Sequence, residues 1–157
     1  MGRLENSDSF DDIFELVKRA VENGIRKHRA GLTLVLADLP NFVGAYHIMG
    51  GNMIVLNRSL LNLVKLKAKS KGEVNSFIFT ILMHEYLHSL GFADEKLVRD
   101  LVYKICMEQL GKEHFATRIA KDPLSLLYPE ILNLPMSLNK DFEVVKNFDK
   151  NSRSYIG

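Results

Sequence analysis

Three side chains within one helical turn carry the chemistry of this sequence. They are His84, Glu85 and His88, in the order His84-Glu85-Tyr86-Leu87-His88. Residues four apart lie on one helix face about one turn apart, so the two imidazoles can converge on a single metal ion. Glu85 is rotated from His84 by about 100°. Its carboxylate therefore reaches a water beside the metal rather than the metal itself. That placement suits a general base that takes the water's proton and later delivers it to a leaving amine. The surrounding run, Phe77 to Leu90, is apolar on almost every side, which predicts a helix buried at the centre of the domain. A polar stripe that bound nothing would leave two imidazoles and a carboxylate buried without partners, at a cost of several kcal/mol. A zinc ion satisfies all three.

The pattern continues beyond the second histidine. Gly91 can take a positive φ, end the helix abruptly and swing residue 94 toward the metal. Asp94 directly precedes another helical pattern and would also make a good N-cap. Glu95 can serve either as a ligand or as a first-turn acid favoured by the helix dipole.

The run His84-Glu85-x-x-His88-x-x-Gly91-x-x-Asp94 resembles the zincin clan of metallopeptidases. Its spacing is similar to that of the metzincins, including the minority that use Asp as third ligand. The resemblance implies a zincin-like α+β fold, a small mixed sheet packed on a central active-site helix with further helices. It implies zinc held by His84, His88 and Asp94, with Glu85 as the catalytic base. In the sister gluzincins the third ligand is a Glu on a separate helix, for which Glu108 and Glu113 are the candidates here, with His114 as an outsider. The same resemblance makes Asn52–Leu56 the candidate edge strand for extended substrate, by β-augmentation. It makes Met136, after Pro135, the candidate for the methionine turn beneath the metal. The order of elements fits over about residues 9–91, but only residues 84–94 are specific.

Those side chains need elements to position them. Ser9 or Asp11 can cap a first helix running to about His28, with Ile13, Leu16, Val17, Ala20 and Val21 at helical spacing. Leu32–Ala37, Val43–Ile48 and Asn52–Leu56 read as strands, the last two joined around Gly50-Gly51. Asn57 or Ser59 can cap a short helix. Lys69–Asn75 reads as a polar connection, so the active-site helix is expected to open at Ser76. Further helices are expected over about Glu95–Leu110, 113–120 and 124–132. Residues 1–137 read as a single catalytic domain. Residues 138–157 read as a polar, loosely ordered tail, part of which Phe142, Val144, Val145 and Phe148 can dock.

Composition narrows the class. With 21 Lys+Arg against 19 Asp+Glu, the chain lacks the charge imbalance expected of a nucleic-acid-binding surface. Its basic run, Lys65, Lys67, Lys69 and Lys71, reads as a solvated helix end. A lone Cys106 excludes an intrachain disulfide and a multi-cysteine zinc site, and its apolar neighbours suggest a buried structural thiol. The opening residues are polar, and no apolar run is long enough to span a membrane, so a cytoplasmic protein is expected. His28 and His47 read as surface or structural, and no spacing rule selects among Tyr46, Tyr103, Tyr128 and His114 as oxyanion donors. The reading is a zinc metallopeptidase acting on a peptide or protein substrate. Its alternative is a zincin-like regulatory or interaction module with little or latent hydrolytic activity.

Overall fold

The computed structural model describes residues 2–40, 44–122 and 141–149. In chain order these form α1 (Gly2–Glu5), α2 (Phe10–Ile25), β1 (Thr33–Ala37), β2 (Ala45–His47), β3 (Met53–Asn57), α3 (Arg58–Lys67), α4 (Lys71–Ser89), α5 (Glu95–Leu110), α6 (Phe115–Lys121) and β4 (Phe142–Val145). The class is α+β, with a small mixed sheet in the order β2-β3-β1-β4. No described helix is long and apolar enough to cross a membrane.

The sheet places the strands differently from the sequence expectation. Residues Met53–Asn57 are not an edge. They pair in parallel with β1, Leu34 opposite Ile54, and antiparallel with β2, Tyr46 opposite Val55. The Gly50-Gly51 turn, with Gly50 at φ +84°, folds the chain back so that Ala45–His47 takes the outer position. Burial agrees: Ile54, Val55, Leu56 and Asn57 are all buried, whereas β2 is half-open. A strand covered on both faces and both edges can be continuously apolar, and β3 is.

Helix α4 is the axle of the fold. It starts at Lys71, five residues before the expected Ser76, because a local cap outweighs the polar composition. Ser70 accepts the amide of Glu73, and the Glu73 carboxylate accepts the amide of Lys69, close to a capping box. Phe77, Phe79, Leu82, Met83, Tyr86 and Leu87 then lie buried on successive faces, packed by α2, α5, α6 and β2. Phe14 of α2 meets Tyr86 edge-on, ring centroids 5.4 Å apart.

Residues 141–149 of the expected tail dock on the fold, as the apolar residues there allow. β4 pairs antiparallel with β1, Val35 opposite Val144. Beyond it Phe148 stacks on Phe14 at 4.2 Å, and Asp149 accepts a 2.6 Å bond from buried Lys18 and another from the amide of Leu32. Phe142 and Val144 remain exposed, so these two contribute backbone pairing rather than burial. The rest of the expected tail, and the helix expected over 124–132, lie outside the described residues. Replacing Phe148 by Ala is expected to cost about 3 kcal/mol, from lost burial plus the cavity left against Phe14. Urea unfolding checks this, since a loose tail would leave the midpoint unmoved.

Candidate metal centre

The C-terminal end of α4 is built by a specific chain reversal. The amide of Gly91 bonds the carbonyl of His88, and the amide of Phe92 bonds that of Leu87. These two bonds form a Schellman motif around Gly91, whose φ is +107°. The glycine expected to end the helix does so. Its reversal brings the Phe92 carbonyl 2.7 Å from His88 Nδ1. A carbonyl only accepts, so Nδ1 carries a proton, and Nε2 is the nitrogen turned toward Glu95.

Asp94 and Glu95 then exchange the roles that spacing favoured. The Asp94 carboxylate accepts the amides of Lys96 and Leu97 and caps α5. Asp94 is not among the residues whose ligand atoms cluster with the histidines. Glu95, in the first turn, is the acid that faces them. Its Oε1 lies 2.5 Å from His88 Nε2, and its Oε2 lies 3.1 Å from His84 Nε2. His84, His88 and Glu95 form the metal-competent group among the described residues, with ligand atoms all within 4.8 Å of one another.

That group fits a small divalent ion. Tetrahedral bonds of about 2.0–2.1 Å place neighbouring donors roughly 3.3 Å apart. The Glu95–His84 separation of 3.1 Å is close to that, and the Glu95–His88 separation of 2.5 Å would have to open by about 0.8 Å. Burial lowers the pKa of His84, against the opposing hydrogen bond and charge of Glu95, while His88 and Arg99 lower it further. A neutral imidazole is the ligand form. Burial alone would raise the Glu95 carboxyl, but hydrogen bonds and charges from His84 and His88 hold it below the usual carboxylate range.

Glu85 is buried beside this group, at 6% exposure. Burial pushes its carboxyl up to about 7, opposed by His88 and reinforced by Glu95. It lines the same cavity as the three candidate ligands and makes no hydrogen bond among the described residues. The cavity, about 500 Å³, is bounded on one side by Gly44–His47 of the edge strand and on the other by Ile81, Val102 and Ile119. At Gly44 a Cβ would sit 3.0 Å from Ile81, so glycine is what lets the strand approach α4 here.

Other sequence candidates are placed elsewhere. His114 caps α6 and pairs with Glu5. Glu108 and Glu113 lie outside the metal-competent group. Met136 and Tyr128 lie outside the described residues. His47, read as surface or structural, lines the cavity, its Nδ1 held by the Met53 carbonyl at 3.0 Å. Cys106 is buried, and burial pushes its thiol up to about 12.

Arg29 was not singled out by any motif, yet it positions the site. Its guanidinium donates to Ser89 O at 2.8 Å and Gly51 O at 3.0 Å, clamping the end of α4 to the β2–β3 turn. Its own backbone is held by the Tyr86 hydroxyl. No local spacing signals this, because the three segments meet only in the fold.

Comparison with protein-family models, with curated proteins and with solved structures finds no match to this chain. The two acids separate by mutation. Glu95→Ala is expected to weaken binding of an added divalent metal by about a hundredfold or more. Asp94→Ala should instead cost about 1 kcal/mol of stability as a lost cap, with one-to-one binding retained. Chelator competition and thermal melts on both variants check the assignment. Gly91→Ala, with no steric obstacle but the wrong φ, is expected to cost about 1–2 kcal/mol, which denaturant titration measures.

Proposed function

We propose that this protein is a zinc-dependent metallopeptidase of zincin type, with His84, His88 and Glu95 as ligands and Glu85 as general base. The observation that carries the reading is Glu85: a largely buried carboxyl with no hydrogen bond among the described residues, lining a cavity beside two converging imidazoles and a carboxylate. A purely structural metal site has no use for such a group, which argues for hydrolysis over a regulatory module. Two nitrogens and one oxygen form a donor set that zinc favours, and three protein ligands leave a coordination position open.

Zinc bound there supplies Lewis acidity toward a carbonyl and makes water a usable nucleophile near neutral pH. The chain's residues do the rest. The Glu85 carboxylate takes a proton from the attacking water and passes it to the departing amine nitrogen, so the peptide C–N bond breaks without releasing a free amide anion. The Phe92 carbonyl keeps His88 in one tautomer and orientation throughout.

The edge strand β2 aligns the substrate. β3 has partners along both edges, so it is β2 whose outer backbone borders the cavity and can add an extended peptide as a further strand. Arg29 fixes that strand relative to the ligand helix.

Glu85→Gln preserves size and leaves all three ligands in place. It is expected to retain one equivalent of zinc and to lose roughly 10²–10⁴-fold in peptide cleavage. Metal analysis alongside turnover of a mixed peptide library checks this, and unchanged turnover would remove Glu85 from the role. Zinc binding with no cleavage by the wild-type chain would favour the regulatory module instead.

A further inference from the structure

The cavity holds one Lys or Arg among the described residues, Arg99, and nothing in the fold uses it. Arg99 lies four residues after Glu95 on α5, the spacing at which an acid and a base normally pair. Glu95 has turned both oxygens to the histidines instead. The next acid on the helix, Asp100, is paired with Lys96 at 3.1 Å. Arg99 thus has no ion pair or hydrogen bond among the described residues, although it is close enough to His84 for its charge to be felt there. Its neighbours along the wall, Val102, Ile119 and Ala120, are apolar and offer it no acceptor.

Arg99 is exposed where it lines the cavity, so a substrate can reach it. Arginine presents a planar fork that matches two carboxylate oxygens at once, and that bidentate geometry makes it a selective receptor for a carboxylate. From the preceding reading of the site as a peptidase, we propose that Arg99 is a specificity-determining residue that binds a carboxylate of the substrate. Two sources offer that group: an Asp or Glu side chain near the scissile bond, or the free C-terminus of a peptide.

Four fluorescent hexapeptides distinguish the sources, carrying a central Glu or Gln and a free or amidated C-terminus. Their binding to zinc-loaded Glu85→Gln protein is read by anisotropy, with Arg99 intact or changed to Gln, Lys or Glu. Carboxylate-bearing peptides are expected to bind about tenfold more tightly than their neutral twins when Arg99 is intact. Arg99→Gln should erase the preference, Arg99→Lys restore part of it, and Arg99→Glu reverse it. Loss of preference on replacing Glu by Gln identifies the side chain as ligand, and loss on amidation identifies the C-terminus. Thermal melts of each variant confirm folding.

The same peptides are offered to the wild-type chain to separate the two readings. An Arg99-dependent preference in binding without cleavage keeps the carboxylate receptor and removes the peptidase. Cleavage with no charge preference, or a preference that survives Arg99→Gln, overturns the role of Arg99 and leaves the peptidase standing. Peptides that neither bind nor are cut overturn both.

Discussion

The structure depends on a conflict inside one helix. α4 is apolar all round and is buried on successive faces, yet its last two turns carry two imidazoles and a carboxyl. Burying such groups without partners costs several kcal/mol. The fold meets that cost locally, within the eleven residues from His84 to Asp94 and the first turn of α5. The Schellman reversal supplies a carbonyl to His88, the Asp94 cap starts α5, and the start of α5 delivers Glu95 to both rings. Glu85 is the exception, because it faces the cavity with no hydrogen bond among the described residues. Its oxygens open on the cavity, where a water or a substrate can reach them.

Legibility from the sequence follows the range of the interactions. The helix carrying His84, Glu85 and His88 was readable because its signals are local: apolar residues on every side, a fixed four-residue spacing and a terminal glycine. The start of α4 was misplaced because Lys69–Asn75 is polar by composition, while the Ser70–Glu73 cap acts within four residues to begin a helix there. Asp94 and Glu95 were both in view, and spacing alone favours the wrong one of the two for this geometry. Capping is decided by which carboxylate meets the free amides of α5, and that depends on the angle at which the chain leaves Gly91. The β2–β3 hairpin was readable from the Gly50-Gly51 turn, but which of its strands is the edge was not, because only the pairing of β3 with β1 on its far side makes β3 internal. Arg29 and Arg99 fall outside any motif for the same reason, since their meaning lies in three-dimensional neighbours.

Two positive charges frame the site in different ways. Arg29 is spent on backbone carbonyls and holds the edge strand against the ligand helix. Arg99 lines the cavity wall without a carboxylate of its own. A guanidinium used as a clamp is replaceable only by another fork of donors, whereas one left available acts through its charge.

The closing strand gives the chain a temporal order. β1 can pair with β3 as soon as both exist, but its other edge is completed by β4, and Lys18 finds Asp149 across 131 residues. Contacts of such separation form late and slowly. During synthesis α2 therefore waits, its Lys18 paired only with Glu15 and one sheet edge open, until residues 141–149 have left the ribosome. Helix α4 with its histidines is made well before that. The nascent protein thus holds the His84, His88 and Glu95 cluster inside a scaffold that has not yet closed, and the final residues described here act as the latch that turns a partly assembled sheet into a finished one.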